Sequence, residues 1–131
     1  VLEAQVMGKW LESQKIAIER IFVSPFTRAQ QTCGNVVELL SSCPELNTIS
    51  MITPSGSAIE FHDYLDGICA SEKISSLLIV AHMPVVSDLG EELTVERNAP
   101  IFQTAGIAHI DYDLQRMKGH LVQMMSPSEL V

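Results

Sequence analysis

Apolar residues recur at helical spacing from the start of the chain. Leu2, Val6, Met7 and Trp10 share one face and predict a helix over about 1–14. No Ser, Thr, Asp or Asn precedes it as a cap, so the domain is expected to be N-terminally incomplete. Ile21, Phe22 and Val23 form a short apolar run and predict a buried strand over about 19–23. Ser24-Pro25 stops it, because proline cannot donate to a sheet ladder. The stripe Ala29, Cys33, Val36, Val37 and Leu40 then predicts a helix over about 26–41. Its start can be written two ways. Ser24 is the N-cap with Pro25 at N1, or Thr27 and Gln30 form a capping box.

The β-branched stretch 47–52 predicts a second strand, 53–56 a turn, and 57–71 a helix. Residues 76–81, "SLLIVA", are the strongest strand signal, a continuous run suited to cover on both faces. Another helix starts near Pro84, with Val85, Val86, Leu89 and Leu93 on one face. Residues 94–104 show no period and read as a loop. Two closing strands, about 105–112 and 118–125, flank a polar turn. Strand and helix therefore alternate through most of the chain. That predicts an α/β fold with a mostly parallel sheet between two helical layers, built as one domain over 1–131.

Length and composition narrow the class. The 131 residues are enough for one core, and a hydrophobic share of 47% suits a globular domain rather than a disordered one. A formal net charge of −8 argues against nucleic-acid binding, which needs a basic footprint. No apolar run approaches the roughly 20 residues of a membrane span. Three cysteines, Cys33, Cys43 and Cys69, lack metal spacing and are expected to be reduced thiols of a cytoplasmic protein.

Two positions carry chemistry. Arg28 falls in the first turn of a helix, an electropositive end that prefers anions. A cation there suggests an anion held between it and the free backbone N–H groups. His82 ends the best strand, just before another helix. In parallel sheets, ligands bind beyond the carboxyl ends of the strands. A guanidinium, an imidazole and two helix N-termini at one edge would form an oxyanion pocket. His62, Asp63 and Asp66 in "FHDYLDG" read as a solvated helix face in preference to a metal site, and "AHIDYD" reads as a strand with one polar face.

"VSPFTRAQQT" followed by "LIVAHMP" resembles the histidine phosphatase, or phosphoglycerate mutase-like, superfamily, most closely its short SixA-type phosphohistidine phosphatases. The likeness spans nearly the whole chain, including "TPSG" and the terminal "MSPSEL". It implies a three-layer α/β/α sandwich. It implies that Arg28 binds the phosphoryl group, that His82 is the second histidine of the pocket, and that the Met83 N–H adds a contact. No metal or other cofactor is called for. The nucleophile implied is a different histidine, in an Arg-His-Gly motif ending a first strand. His62, His82, His109 and His120 are the only histidines here, and none follows an arginine. The resemblance places that first strand beside 77–81, so 77–81 should not pair directly with 105–112.

The function so implied is removal of phosphate from a protein phosphohistidine, through a phosphohistidine on the enzyme. The partner expected is a histidine-containing phosphotransfer domain or phosphocarrier, with the chain itself a monomer. The turn at 53–56 carries no carboxylate, which suits an imidazole leaving group better than an alcohol. The alternatives are a phosphomonoester phosphatase of the same superfamily and a non-catalytic phosphohistidine-binding module.

Overall fold

A computed structural model describes residues 2–15, 18–41, 44–53, 56–72, 74, 76–81, 85–95, 107–113, 115 and 118–125. The elements in chain order are α1 (Leu2–Ser13), β1 (Arg20–Val23), α2 (Thr27–Val37), β2 (Glu45–Thr48), α3 (Ala58–Glu72), β3 (Leu77–Val80), α4 (Val85–Leu93), β4 (Ile107–Asp113) and β5 (Lys118–Met125).

Alternate side chains of the central strand sort the helices into layers. On β1, Ile21 and Val23 enter one core with Ala29, Cys33 and Val36 of α2 and Ala4 and Leu11 of α1. Phe22 points the other way, into a core built from Phe61, Leu65 and Cys69 of α3 and Leu89 and Leu93 of α4. The continuous apolar run on β3 divides likewise. Leu78 and Val80 pack against the first core, Leu77 and Ile79 against the second. That period-two split of an all-apolar run is why two helical layers cover this sheet. Phe22 and Phe61 are fully buried and meet edge to face, with centroids 6.1 Å apart. Each contributes about 1.5–3 kcal/mol by burial.

The sheet order is β2-β1-β3, all parallel, with Val23 in register with Thr48 on one side and Val80 on the other. Helices α2, α3 and α4 each follow one of these strands, so their N-terminal turns share one edge of the sheet. Strands β4 and β5 form an antiparallel pair. Among the described residues β3 pairs only with β1, and β4 only with β5. Yet β3 and β4 serve the same two cores, because Ile107 joins the first and Ile110 and Tyr112 the second. This agrees with the expectation that 77–81 and 105–112 are not direct neighbours. The helix and strand positions agree with the α/β/α sandwich read from the sequence.

Three local expectations are corrected. The second strand lies at Glu45–Thr48, and Ser50–Ile52 forms a 3₁₀ turn instead of continuing it. Pairing with β1 sets this register; after the Ile49 N–H reaches the Val23 carbonyl at 2.8 Å, the chain turns to bury Ile52. The β-branched residues there fill the core rather than a strand. Helix α2 stops at Val37, and Leu39 and Leu40 bond back to Val36 and Val37 in a tightened final turn. Its N-cap is Phe26, with no side-chain cap bond, so neither Ser24 nor a Thr27–Gln30 box caps it.

At the opposite edge Arg20 ties β1 to its neighbours. Its guanidinium donates to Asn47 at 3.0 and 2.6 Å and to Glu72 at 2.7 Å, and pairs with Glu45 at 3.1 Å. Both carboxylates are more than half exposed, so the Asn47 bonds give most of the stabilisation. No described helix is long and apolar enough to cross a membrane.

Candidate active site

Arg28 is the second residue of α2, at the edge where the parallel strands end. Two hydrogen bonds hold this turn. The buried Ser24 accepts the Phe26 N–H on its Oγ at 3.3 Å. The Gln30 amide donates to the Ser24 carbonyl at 2.9 Å and to Thr48 Oγ1 at 3.3 Å, linking the start of α2 to the ends of β1 and β2. Gln30 therefore locks the strand ends together rather than reaching back to Thr27. Ser24 and Gln30 were visible only as cap candidates; their role as supports of the Arg28 turn depends on β2 lying alongside.

Arg28 is exposed, and its guanidinium makes no hydrogen bond or ion pair with any described residue. No side chain caps the first amides of α2. A free cation thus stands beside uncapped N–H groups, where an anion gains from both. The exposed Phe26 flanks the same turn.

His82 and Met83 lie outside the described residues, so their side-chain geometry and the Arg28–His82 separation do too. Their strand is described. β3 ends at Val80, beside Val23 in register, and the Ser24 N–H donates to the Val80 carbonyl at 3.0 Å. The connections that carry Arg28 and His82 therefore leave adjacent parallel strands at one edge. Strands in a sheet lie about 4.8 Å apart, so the segments after β1 and β3 start from neighbouring positions.

An open groove of about 350 Å³ lies between α3 and α4, lined by Gly56–Ile59, Asp88, Glu91 and Glu92. Its carboxylates would repel a phosphoryl group, so it is not the anion site. It does bring acids beside the segment after β2, where the 53–56 turn has none of its own.

The reading of "FHDYLDG" as a solvated face fails for His62. The ring is buried and bonded to Glu92 and Tyr112, and only Asp63 faces solvent. The apolar Phe61, Leu65 and Cys69 turn this side of α3 inward and carry His62 with them. "AHIDYD" alternates as read: Ile110 and Tyr112 turn toward the α3–α4 core while Asp111 and Asp113 are exposed, and the register shift opposite His109 and Ile110 falls at Val122 on β5. Among the described residues, no group of three or more His, Cys, Asp or Glu is arranged to hold a metal ion.

No protein-family model matches the chain. Phosphohistidine phosphatase SixA of Escherichia coli (strain K12) is 34% identical over 128 residues, covering 98% of this chain and 78% of that protein. A phosphohistidine phosphatase SixA homolog of Haemophilus influenzae is 34% identical over 118 residues, covering 85% of this chain and 71% of that one. A solved structure of the protein histidine phosphatase SixA complexed with tungstate superposes with a TM-score of 0.92 at 34% identity, over 98% of this chain and 81% of that one. A solved structure of a putative phosphohistidine phosphatase SixA from Nakamurella multipartitia matches with a TM-score of 0.76 at 20% identity, over 95% of this chain and 80% of that one, which speaks to the fold alone.

Proposed function

The chain belongs to the SixA family of phosphohistidine phosphatases, and we propose that it hydrolyses phosphohistidine on a protein partner at the edge where β1 and β3 end. One observation carries the reading. Arg28 stands in the first turn of α2 with no partner among the described residues, beside amides that no side chain caps. A transferring phosphoryl group spreads negative charge over three oxygens and needs fixed positive groups around it.

In this reading Arg28 binds two of those oxygens, His82 hydrogen-bonds a third, and the Met83 N–H adds a donor. A histidine from an Arg-His-Gly segment attacks phosphorus as the N–P bond of the substrate breaks and its imidazole leaves with a proton. Water then attacks the enzyme phosphohistidine, releasing inorganic phosphate and restoring the nucleophile. Among the described residues β3 and β4 do not pair with each other yet serve shared cores, which suits a strand between them that carries this histidine. The partner is a histidine-containing phosphotransfer domain or phosphocarrier. Such partners, with the reduced cysteines, fit a cytoplasmic protein acting as a monomer.

A second reading, a phosphomonoester phosphatase, rests on the groove. Asp88, Glu91 and Glu92 lie across from Gly56–Ile59, and an alcohol leaving group needs an acid near this edge. The two readings separate when phosphate release from a phosphohistidine protein and from a phosphosugar is compared in the full-length enzyme. Release from the protein at least about 100-fold faster is expected; the reverse order overturns the first reading. Arg28→Ala should keep the wild-type circular dichroism yet lose about 2–4 kcal/mol of transition-state stabilisation. Tungstate inhibition should weaken alongside. Unchanged kinetics in that folded variant would remove Arg28 from the site.

A further inference from the structure

A second constellation of ionisable groups lies away from Arg28, between α3, α4 and β4. His62 is 6% exposed. Its Nδ1 is 3.1 Å from Glu92 Oε1, on the last turn of α4. Its Nε2 is 2.8 Å from the Tyr112 hydroxyl on β4 and 3.3 Å from Asp66 Oδ2, one turn along α3. The Tyr112 hydroxyl donates to Asp66 Oδ1. From β5, Lys118 donates its ammonium to the Glu92 main-chain carbonyl at 2.7 Å. Asp63 on α3 faces solvent, and Asp88 and Glu91 on α4 line the groove with Glu92.

We infer that His62, Asp66, Glu92 and Tyr112 hold one proton in common, and that this proton clasps α3 to α4 and β4. Beside the 3.3 Å contact of Nε2 with Asp66 Oδ2, three hydrogen bonds join the four groups: Nδ1 to Glu92, Nε2 to Tyr112, and Tyr112 to Asp66. Each needs one hydrogen. A neutral imidazole, a phenol and two carboxylates supply two. With the Tyr112 hydrogen directed at Asp66, Nε2 must donate to the phenol oxygen, and a carboxylate at Glu92 requires a hydrogen on Nδ1 as well. With both carboxylates ionised, the third proton therefore rests on the ring, held between Glu92 and the Tyr112–Asp66 pair.

Without it, one link becomes two lone pairs facing each other in a buried site, which forfeits the bond and adds repulsion. The phenol does not give up its proton instead. Burial and the Asp66 bond push the Tyr112 hydroxyl well above its ordinary range. Glu92 both lines the groove and bonds His62, so the clasp also sets the spacing of α3 and α4 beside the catalytic edge.

The test uses the full-length protein labelled with ¹⁵N at about pH 7.5, where an ordinary imidazole carries one hydrogen. Both ring nitrogens of His62 should show hydrogen-bearing shifts. Glu92→Gln removes the charge that faces Nδ1 and should return one ring nitrogen to the bare shift, while Tyr112→Phe should leave both hydrogen-bearing because Asp66 Oδ2 stands 3.3 Å from Nε2. A wild-type ring with a bare nitrogen would overturn the inference, as would a Glu92→Gln ring that matches wild type.

Discussion

Burial controls the chemistry of the two described cysteines. Cys33 and Cys69 are free thiols 4% and 8% exposed, packed in opposite cores. Burial pushes both thiols above their ordinary range, and for Cys69 the Asp66 carboxylate pushes the same way against a smaller pull from Arg20. The thiolate is the reactive form, so both should react slowly in the native state. At pH 8, alkylation followed by mass spectrometry should label each roughly tenfold or more slowly in the folded protein than in urea. Equal rates would mean that the helices covering them open readily. Arg28 shows the converse. It is exposed and without a described partner, which leaves its charge available to a ligand. Its place in a first turn was legible from "SPFTRA" alone. That Gln30 would brace the turn through Thr48 was not, because the two lie on different elements, 18 residues apart.

Elements meet closely where β5 pairs with β4. Gly119 pairs with Tyr112, bridges to Thr94 and accepts the Val95 N–H on its carbonyl at 2.9 Å. A Cβ there would lie 2.5 Å from the Asp111 carbonyl oxygen and 3.0 Å from the Tyr112 Cα. Both are backbone atoms and cannot swing aside. Gly119→Ala should therefore shift the strand pair and lower stability by about 1–3 kcal/mol, read from urea unfolding. Unchanged stability would mean that the β4–β5 pair tolerates such a shift freely. In the sequence this glycine stands where the polar turn meets the closing strand, and a glycine signals bends and close approaches alike. Only the partner strand distinguishes the two.

For the whole molecule, net charge sets how substrates arrive. Sixteen acidic against eight basic residues give −8, which repels small anions at low ionic strength. Salt screens that field, with a Debye length of about 10 Å at 0.1 M. For a small phosphoramidate substrate, kcat/KM of the full-length enzyme should therefore rise about two- to threefold from 0.02 to 0.2 M salt. A fall over that range would point to local attraction by the Arg28 edge outweighing the global charge.

The sequence by itself determined the alternation of strands and helices, the two-faced burial of 77–80 and the first-turn place of Arg28. These rest on local periodicity and on residues a few positions apart, where backbone geometry alone links pattern to structure. The tertiary structure decided what local pattern could not. It ended β2 at Thr48 and spent the following β-branched residues on the core. It left Phe26 as an uncapped helix start and made Gln30 a brace. It also drew His62 out of solvent to meet Glu92, 30 residues away, and Tyr112, 50 away. The physical reason is common to all three. A ladder partner, a cap or a buried ion pair depends on which element packs alongside. That choice follows from satisfying the whole core and every buried polar group at once, a constraint that no short window of sequence contains.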